Sequence, residues 1–145
     1  MLYQEKPFEL PLEHEVIVTG RIDQINRLPD GEVEIVDYKT GRPRDEKKAA
    51  GDLQLSVYAL AAQDVLDLTP GRLVFYNLAT NEAVGTTRDK KTLAAVKQKI
   101  AEIADQIRAG EFSPKPGFSC GYCDFKPLCP AHEQLINIQP AAPPA

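Results

Sequence analysis

The sequence contains no tryptophan, one methionine, two histidines and three cysteines among its 145 residues. Three thiols are too few, and odd in number, for a disulfide scaffold. All three fall between Cys120 and Cys129, and in a reducing compartment that clustering points to a metal or cluster site. No apolar run approaches the roughly 18 residues of a membrane span, and the opening stretch Met1–Leu12 is too polar and acidic for a signal peptide. A cytoplasmic chain with no membrane partner is therefore expected. Positive charge is also short, with 17 Lys and Arg against 21 Asp and Glu and a net charge of −4. That balance argues against a nucleic-acid binder working through a basic surface. It leaves open an enzyme that meets phosphate through a divalent cation, whose charge supplies locally what the chain lacks. Internal repeats are absent. What remains, 43% hydrophobic and 26% charged residues, is the composition of one ordinary globular domain.

The first half reads as strands. Phe8 and Leu10 alternate with polar neighbours, and Val16, Val18, Gly20, Ile22 and Ile25 continue the pattern into Leu28-Pro29-Asp30-Gly31. Proline presets φ and glycine accepts positive φ, so this cluster predicts a turn, with the β-branched run Val33–Tyr38 as the return strand of a hairpin. The break at Thr40–Arg44 precedes a helix predicted from about Glu46 to Leu66, with Leu53, Val57, Leu60 and Ala61 at helical spacing and Gly51 as its weak point. Pro70-Gly71 opens a second hairpin, Leu73–Asn77 and Ala83–Thr87 about a turn at Asn81-Glu82. Asp89 is placed to cap a second long helix with an apolar stripe of Leu93, Val96, Ile100, Ile103 and Ile107, which Gly110 stops. This order gives an α/β fold, a central mixed sheet with flanking helices. The final Pro140–Ala145 is expected to be disordered.

One set of polar residues stands out against these elements. Asp23 and Asp37 lie seven residues on either side of Asp30 and so oppose each other across the hairpin. Residues i and i+2 of a strand share a face, which puts Lys39 beside Asp37. Gln54 and Tyr58 are one helical turn apart on the helix that follows. Two carboxylates with hard oxygen donors suit Mg²⁺ or Mn²⁺, which keep waters and take phosphate oxygens as further ligands. An adjacent lysine can orient or deprotonate a metal-activated water. Arg42, Arg44, Lys47 and Lys48 follow directly and could hold phosphate oxygens, whereas Lys90, Lys91, Lys97 and Lys99 read as the wet face of the second helix.

Gly20-Arg21-Ile22-Asp23, Ile35-Val36-Asp37-Tyr38-Lys39-Thr40-Gly41 and Gln54-Leu55-Ser56-Val57-Tyr58, taken in order, resemble the successive motifs of the RecB-like branch of the PD-(D/E)-x-K nucleases. The likeness extends to the nuclease domains of UvrD-type and AddAB-type helicase-nucleases and to CRISPR-associated RecB-like nucleases, and runs from about Val16 to Cys129. It implies a restriction-endonuclease-like core and a Mg²⁺- or Mn²⁺-dependent deoxyribonuclease, an exo- or endonuclease of DNA repair with DNA as substrate and a helicase domain or subunit as partner. It also implies site roles: Asp23, Asp37 and the Tyr38 backbone carbonyl as metal ligands, Lys39 as the catalytic lysine, and Gln54 and Tyr58 as the branch's Q-x-x-x-Y motif. In that branch a further metal-binding histidine lies on a helix well upstream. Only 22 residues precede Asp23, and His14, the one histidine among them, sits between strands. The core is thus expected to lack its N-terminal helices.

Cys120-x2-Cys123-x5-Cys129 sits in a Gly- and Pro-rich loop with Phe118, Tyr122 and Phe125 available to shield an inorganic core. The resemblance implies that these are the last three ligands of a [4Fe-4S] cluster whose fourth cysteine lies outside the chain. His132 offers an alternative, a closed set of four for structural zinc. The expected organisation is a nuclease core over 1–112, a cysteine-rich cluster-binding loop over 113–133 and a Pro/Ala tail over 134–145. Two other functions stay open on the residues alone, a module that binds DNA or a helicase without cutting and a zinc-stabilised structural domain.

Overall fold

The computed structural model describes residues 1–13 and 15–131. His14, His132 and the tail from 134 onward, each given a role or a state above, lie outside the described residues. Two compact units are distinguished, Met1–Asp105 and Gln106–Ala145.

The first unit is built on a five-stranded sheet in the order β1 (Tyr3–Leu12), β2 (Val16–Arg27), β3 (Val33–Lys39), β4 (Pro70–Asn77), β5 (Glu82–Thr86). All neighbouring strands are antiparallel except β3 and β4, which run parallel. A parallel pair needs a crossover, and the helices α1 (Glu46–Gly51) and α2 (Leu53–Asp64) supply it. The mixed sheet and flanking helices are those of the expected PD-(D/E)-x-K core.

Local chemistry accounts for the elements. Gly31 takes φ +89° at the β2–β3 turn, its N–H donates to the Leu28 carbonyl at 3.1 Å, and the Asp30 carboxylate accepts from Glu32 N–H at 3.0 Å. The inner face of the sheet carries Phe8, Leu10, Ile25, Ile35, Leu73 and Phe75, all buried. Against it packs α2, whose Ala59, Ala61 and Ala62 are fully buried and allow close approach. The outer face also buries Val36 and Val74, and it carries a chain of hydrogen-bonded polar side chains. Tyr38 Oη donates to Gln24, Gln24 to Asn26 and Asn26 to Glu34, which takes the Arg72 guanidinium at 3.1 Å.

The single helix predicted from Glu46 to Leu66 is two helices. Asp52 has extended backbone (φ −74°, ψ 127°), and its carboxylate accepts Leu55 N–H at 2.9 Å, so it caps α2 instead of continuing α1. The break follows Gly51, the weak point of the pattern. Of the apolar stripe placed by sequence, Leu60 and Ala61 are buried and Val57 packs on the core, but Leu53 is exposed, and Leu55, Tyr58, Ala59 and Ala62 join the buried set. Pro70 and Gly71 belong to β4 rather than preceding it. The second long helix, α3 (Lys90–Arg108), is capped by Asp89, which accepts Thr92 N–H at 2.7 Å. Of its stripe, Leu93 is buried and Val96 packs on the core, while Ile103 is exposed. Gly110 has φ +70° just past its end. Among the described residues no helix is long and apolar enough to cross a membrane.

Gly20 lies opposite Phe8 across the β1–β2 ladder, and a Cβ there would stand 2.7 Å from the Phe8 ring. The same ring meets Tyr58 edge-on at 6.0 Å. Gly20→Ala is expected to destabilise the fold by about 1–3 kcal/mol through overpacking, measured by urea denaturation. Gly51→Ala, whose Cβ meets nothing within 4 Å, should be neutral or slightly stabilising.

Candidate functional site

The carboxylates come together because β2 leaves β3 at one position. Main-chain pairing runs from Arg27↔Val33 to Gln24↔Val36 and stops. At the next step the Asp23 carboxylate takes the place of a backbone acceptor, with Oδ2 accepting Tyr38 N–H at 2.8 Å. Asp37 and Lys39 then share the inner face of β3, as the i, i+2 rule requires, and the Lys39 ammonium lies 2.6 Å from Asp37 Oδ2. Lys39 also donates to Gln54 Oε1 at 2.8 Å, and Gln54 Nε2 donates to Tyr58 Oη at 2.8 Å. Asp37, Lys39, Gln54 and Tyr58 form one continuous chain, and Asp23 is tied to it through the Tyr38 backbone. The Tyr38 side chain belongs to the other face, where its ring meets Tyr76 at 5.7 Å.

Burial sets the electrostatics. The Asp37 side chain is 3% exposed and that of Lys39 22%. Loss of water pushes the Asp37 pKa up, Lys39 opposes this in part, and the charges of Asp23 and Asp52 add to the rise. Tyr58 is pushed up as well, first by burial, with Gln54 opposing and the Asp37, Asp23 and Glu5 charges adding. Its phenol therefore stays protonated, a polar end to the chain that carries no charge. Asp37 Oδ2 is enclosed and accepts no aligned hydrogen bond, although Lys39 meets it as an ion pair. This oxygen therefore already faces one cation, the Lys39 ammonium, and has no other partner among the described residues. Among the described residues no group of three or more His, Cys, Asp or Glu is placed to hold a metal. The donor set on this face is two carboxylates, the number by which Mg²⁺ is commonly held when waters and phosphate complete its shell.

Arg88 was not visible in the sequence as part of this arrangement. It donates to Ser56 Oγ at 2.7 Å, to the Ala49 and Asp52 carbonyls at 2.7 and 3.1 Å, and to Thr86 Oγ1 and the Thr87 carbonyl at 3.1 and 2.9 Å. These bonds fasten the α1–α2 joint, two residues before Gln54, to the end of β5. The partners at the joint, Ser56, Ala49 and Asp52, are 32 to 39 residues away in the chain, and no motif or periodicity links them.

In the second unit, Cys120 lies in a 3-10 turn over Phe118–Tyr122, with a further turn over Lys126–Leu128 before Cys129. Cys120, Cys123 and Cys129 are free thiols. They do not form a ligand set among the described residues, so the [4Fe-4S] expectation gains no support. Phe118 and Phe125, expected to shield a cluster, are 70% and 73% exposed. The zinc alternative depends on His132, outside the described residues.

Two outcomes follow from this geometry. Because burial raises the folded-state pKa of Asp37, ionising it costs stability, a cost absent at low pH and present once pH exceeds that pKa. The Tm difference between Asp37→Asn and the parent should thus move in the variant's favour as pH rises from about 4 to 7, as followed by thermal denaturation. Arg88→Met should lower stability by about 1.5–3 kcal/mol, since it strands several carbonyls. Arg88→Lys should recover only part of this, because an ammonium cannot span the same acceptors; urea denaturation of both checks it.

The family model of the PD-(D/E)XK nuclease superfamily matches residues 3–130. The chain is 30% identical over 131 residues to the gene 69 protein of Mycobacterium phage D29, covering 85% of this chain and 46% of that protein. A shorter stretch, 37 residues at 51% identity, matches a subunit of the ATP-dependent helicase/deoxyribonuclease of Streptococcus equi subsp. zooepidemicus, covering 26% of this chain and 3% of that protein. The chain thus spans less than half the length of either relative. Among solved structures, the crystal structure of SSO0001 superposes with a TM-score of 0.51 at 21% identity, over 90% of this chain and 61% of that one, a likeness of fold. With the Asp37-Tyr38-Lys39 motif at the end of a central strand and the family's pattern running through both units, the chain belongs to the PD-(D/E)XK nuclease superfamily.

Proposed function

We propose that this chain is the nuclease domain of a DNA repair or recombination helicase-nuclease, a cytoplasmic, Mg²⁺- or Mn²⁺-dependent deoxyribonuclease that hydrolyses phosphodiester bonds. The observation that carries the reading is Asp37 Oδ2, buried without an aligned hydrogen bond, beside Lys39 and opposite Asp23. Superfamily membership supports nuclease chemistry, and the short match to a helicase/deoxyribonuclease supports the helicase association.

In this reading Asp23 and Asp37 hold the ion, with the carbonyl of Tyr38, the residue after Asp37, as a third oxygen. When bound, such an ion supplies Lewis acidity and neutralises charge on the reacting phosphate. Asp23 is kept in place by the Tyr38 N–H, which fills one of its lone pairs. Lys39 orients the attacking water and accepts or releases its proton, and Gln54 holds the ammonium through Oε1 while Tyr58 fixes the amide from its other end. Exchanging Gln54 O and N would set donor against donor at Lys39, so the ammonium fixes the orientation of the amide and the phenol, able to donate or accept, follows it. In the same reading residues 1–112 are the nuclease core and 113–133 the cysteine-rich loop.

The expected result is cleavage of linear single- or double-stranded DNA with Mg²⁺ or Mn²⁺, reduced by roughly two to four orders of magnitude in Asp37→Ala and Lys39→Ala. Mn²⁺ should also raise the Tm of the parent protein and leave that of Asp37→Ala unmoved. If both variants cut as fast as the parent, the site assignment is wrong.

A further inference from the structure

The parallel strands β3 and β4 end side by side, with Lys39 in register with Asn77, and the ladder extends one step further through Leu78 N–H to the Lys39 carbonyl at 2.9 Å. Asn77 is 2% exposed, one of very few buried polar residues in the described structure. Its side chain serves a single loop residue. Asn77 Oδ1 accepts Arg44 N–H at 2.8 Å and Asn77 Nδ2 donates to the Arg44 carbonyl at 3.1 Å. The loop of residues 40–44 is therefore tied at one end to Lys39 by the chain and at the other to β4 by a buried amide. Pro43 stiffens it further by fixing its own φ and holding Arg42 out of helical backbone.

A buried amide costs free energy unless it is bonded, and an apolar residue at the end of β4 would complete the core without that demand. What the amide adds is a defined path for this loop, which carries two exposed arginines. Neither Arg42 nor Arg44 makes a side-chain hydrogen bond or ion pair among the described residues. The adjacent Asp45 turns its carboxylate away, to Lys48 N–H at 2.8 Å, as the cap of α1. Open α/β sheets bind ligands beyond the carboxyl ends of their parallel strands, and here that edge holds Lys39 and these two guanidinium groups.

We propose that the loop of residues 40–44 is a preformed phosphate grip: Asn77 sets its course, and Arg42 and Arg44 hold backbone phosphates of the nucleic-acid strand that enters the Asp37–Lys39 site. The proposal rests on the nuclease reading for the identity of the strand. Guanidinium forks match phosphate oxygens bidentately, and a fixed loop spares the ordering cost of gripping them. At most about 10 Å of extended chain separates Lys39 from Arg42 and about 17 Å separates it from Arg44. The grip therefore falls on the strand close to the site.

The test is fluorescence anisotropy with a labelled single-stranded oligonucleotide in EDTA, between 50 and 200 mM salt, on the parent, on Arg42→Gln/Arg44→Gln and on Asn77→Leu. Loss of two phosphate contacts should flatten the slope of log K against log salt by about 1.4 and weaken binding at 50 mM roughly tenfold or more. Asn77→Leu should move both quantities in the same direction although it removes no charge, which a purely electrostatic surface would not do. An unchanged slope in the double arginine variant, whose side chains are on the surface and not needed for folding, overturns the proposal. A folded Asn77→Leu that binds like the parent overturns the role of Asn77. Since this assay excludes metal and cleavage, the same losses in a chain that separately fails to cut DNA with Mg²⁺ or Mn²⁺ refute the nuclease reading and leave the grip standing.

Discussion

The Asp37 carboxylate lies 3% exposed with the Lys39 ammonium 2.6 Å away, and a charge so far from water must be matched by what surrounds it. Continuum reasoning and experiment agree that such a pair contributes little to stability and is often worse than an apolar replacement. The rise in the Asp37 pKa places this example on the unfavourable side. Much of the neighbouring structure serves to hold the pair: Gln54 takes a second ammonium proton, Tyr58 fixes Gln54, and Phe75 presents its ring 5.2 Å from the Lys39 nitrogen. Local cost at a functional site, carried by the rest of the fold, is the pattern expected where binding or catalysis requires it.

The same constraint explains why the sheet has two unlike faces. On the inner face α2 buries its alanines against β1, β3 and β4 and brings Gln54 and Tyr58 over the ends of the strands. The outer face carries hydrogen-bonded side chains from Tyr38 to Arg72, with Val36 and Val74 buried on it. Alternation along β3 then separates the roles of consecutive residues. Asp37 and Lys39 enter the site, while Tyr38 contributes its backbone N–H to Asp23 and its ring to the outer face.

Much of this was legible in the residues. The Pro-Asp-Gly turn with equal spacing to Asp23 and Asp37 located the carboxylates opposite each other, and Gln54 and Tyr58 at i, i+4 were rightly read as one helical face. The long helix failed because 3.6-residue periodicity carries straight through Asp52, and only the cap bond to Leu55 N–H reveals the break. The stripe on α3 was real as a pattern, but its burial was not deducible, since amphipathicity says which side can be covered and not how far along the covering extends. The cysteine spacing suggested a ligand set, yet spacing within a loop does not by itself draw the thiols together.

Short-range chemistry determined the local elements: β-branched alternation made the strands, proline and glycine placed the turns, and Asp52 and Asp89 were available as caps. It also determined which residues could do chemistry, because carboxylate, ammonium and amide groups at those intervals have few other reasons to recur in that order. Tertiary structure alone decided how they act together. Arg88 reaches back to the joint at Asp52, Asn77 fixes Arg44 from 33 residues away, and Asp23 replaces a missing backbone partner of Tyr38. Each of these bonds joins groups far apart in the chain. Their geometry depends on strand register and helix packing, and these are settled by burial of the whole core rather than by any neighbouring stretch of sequence.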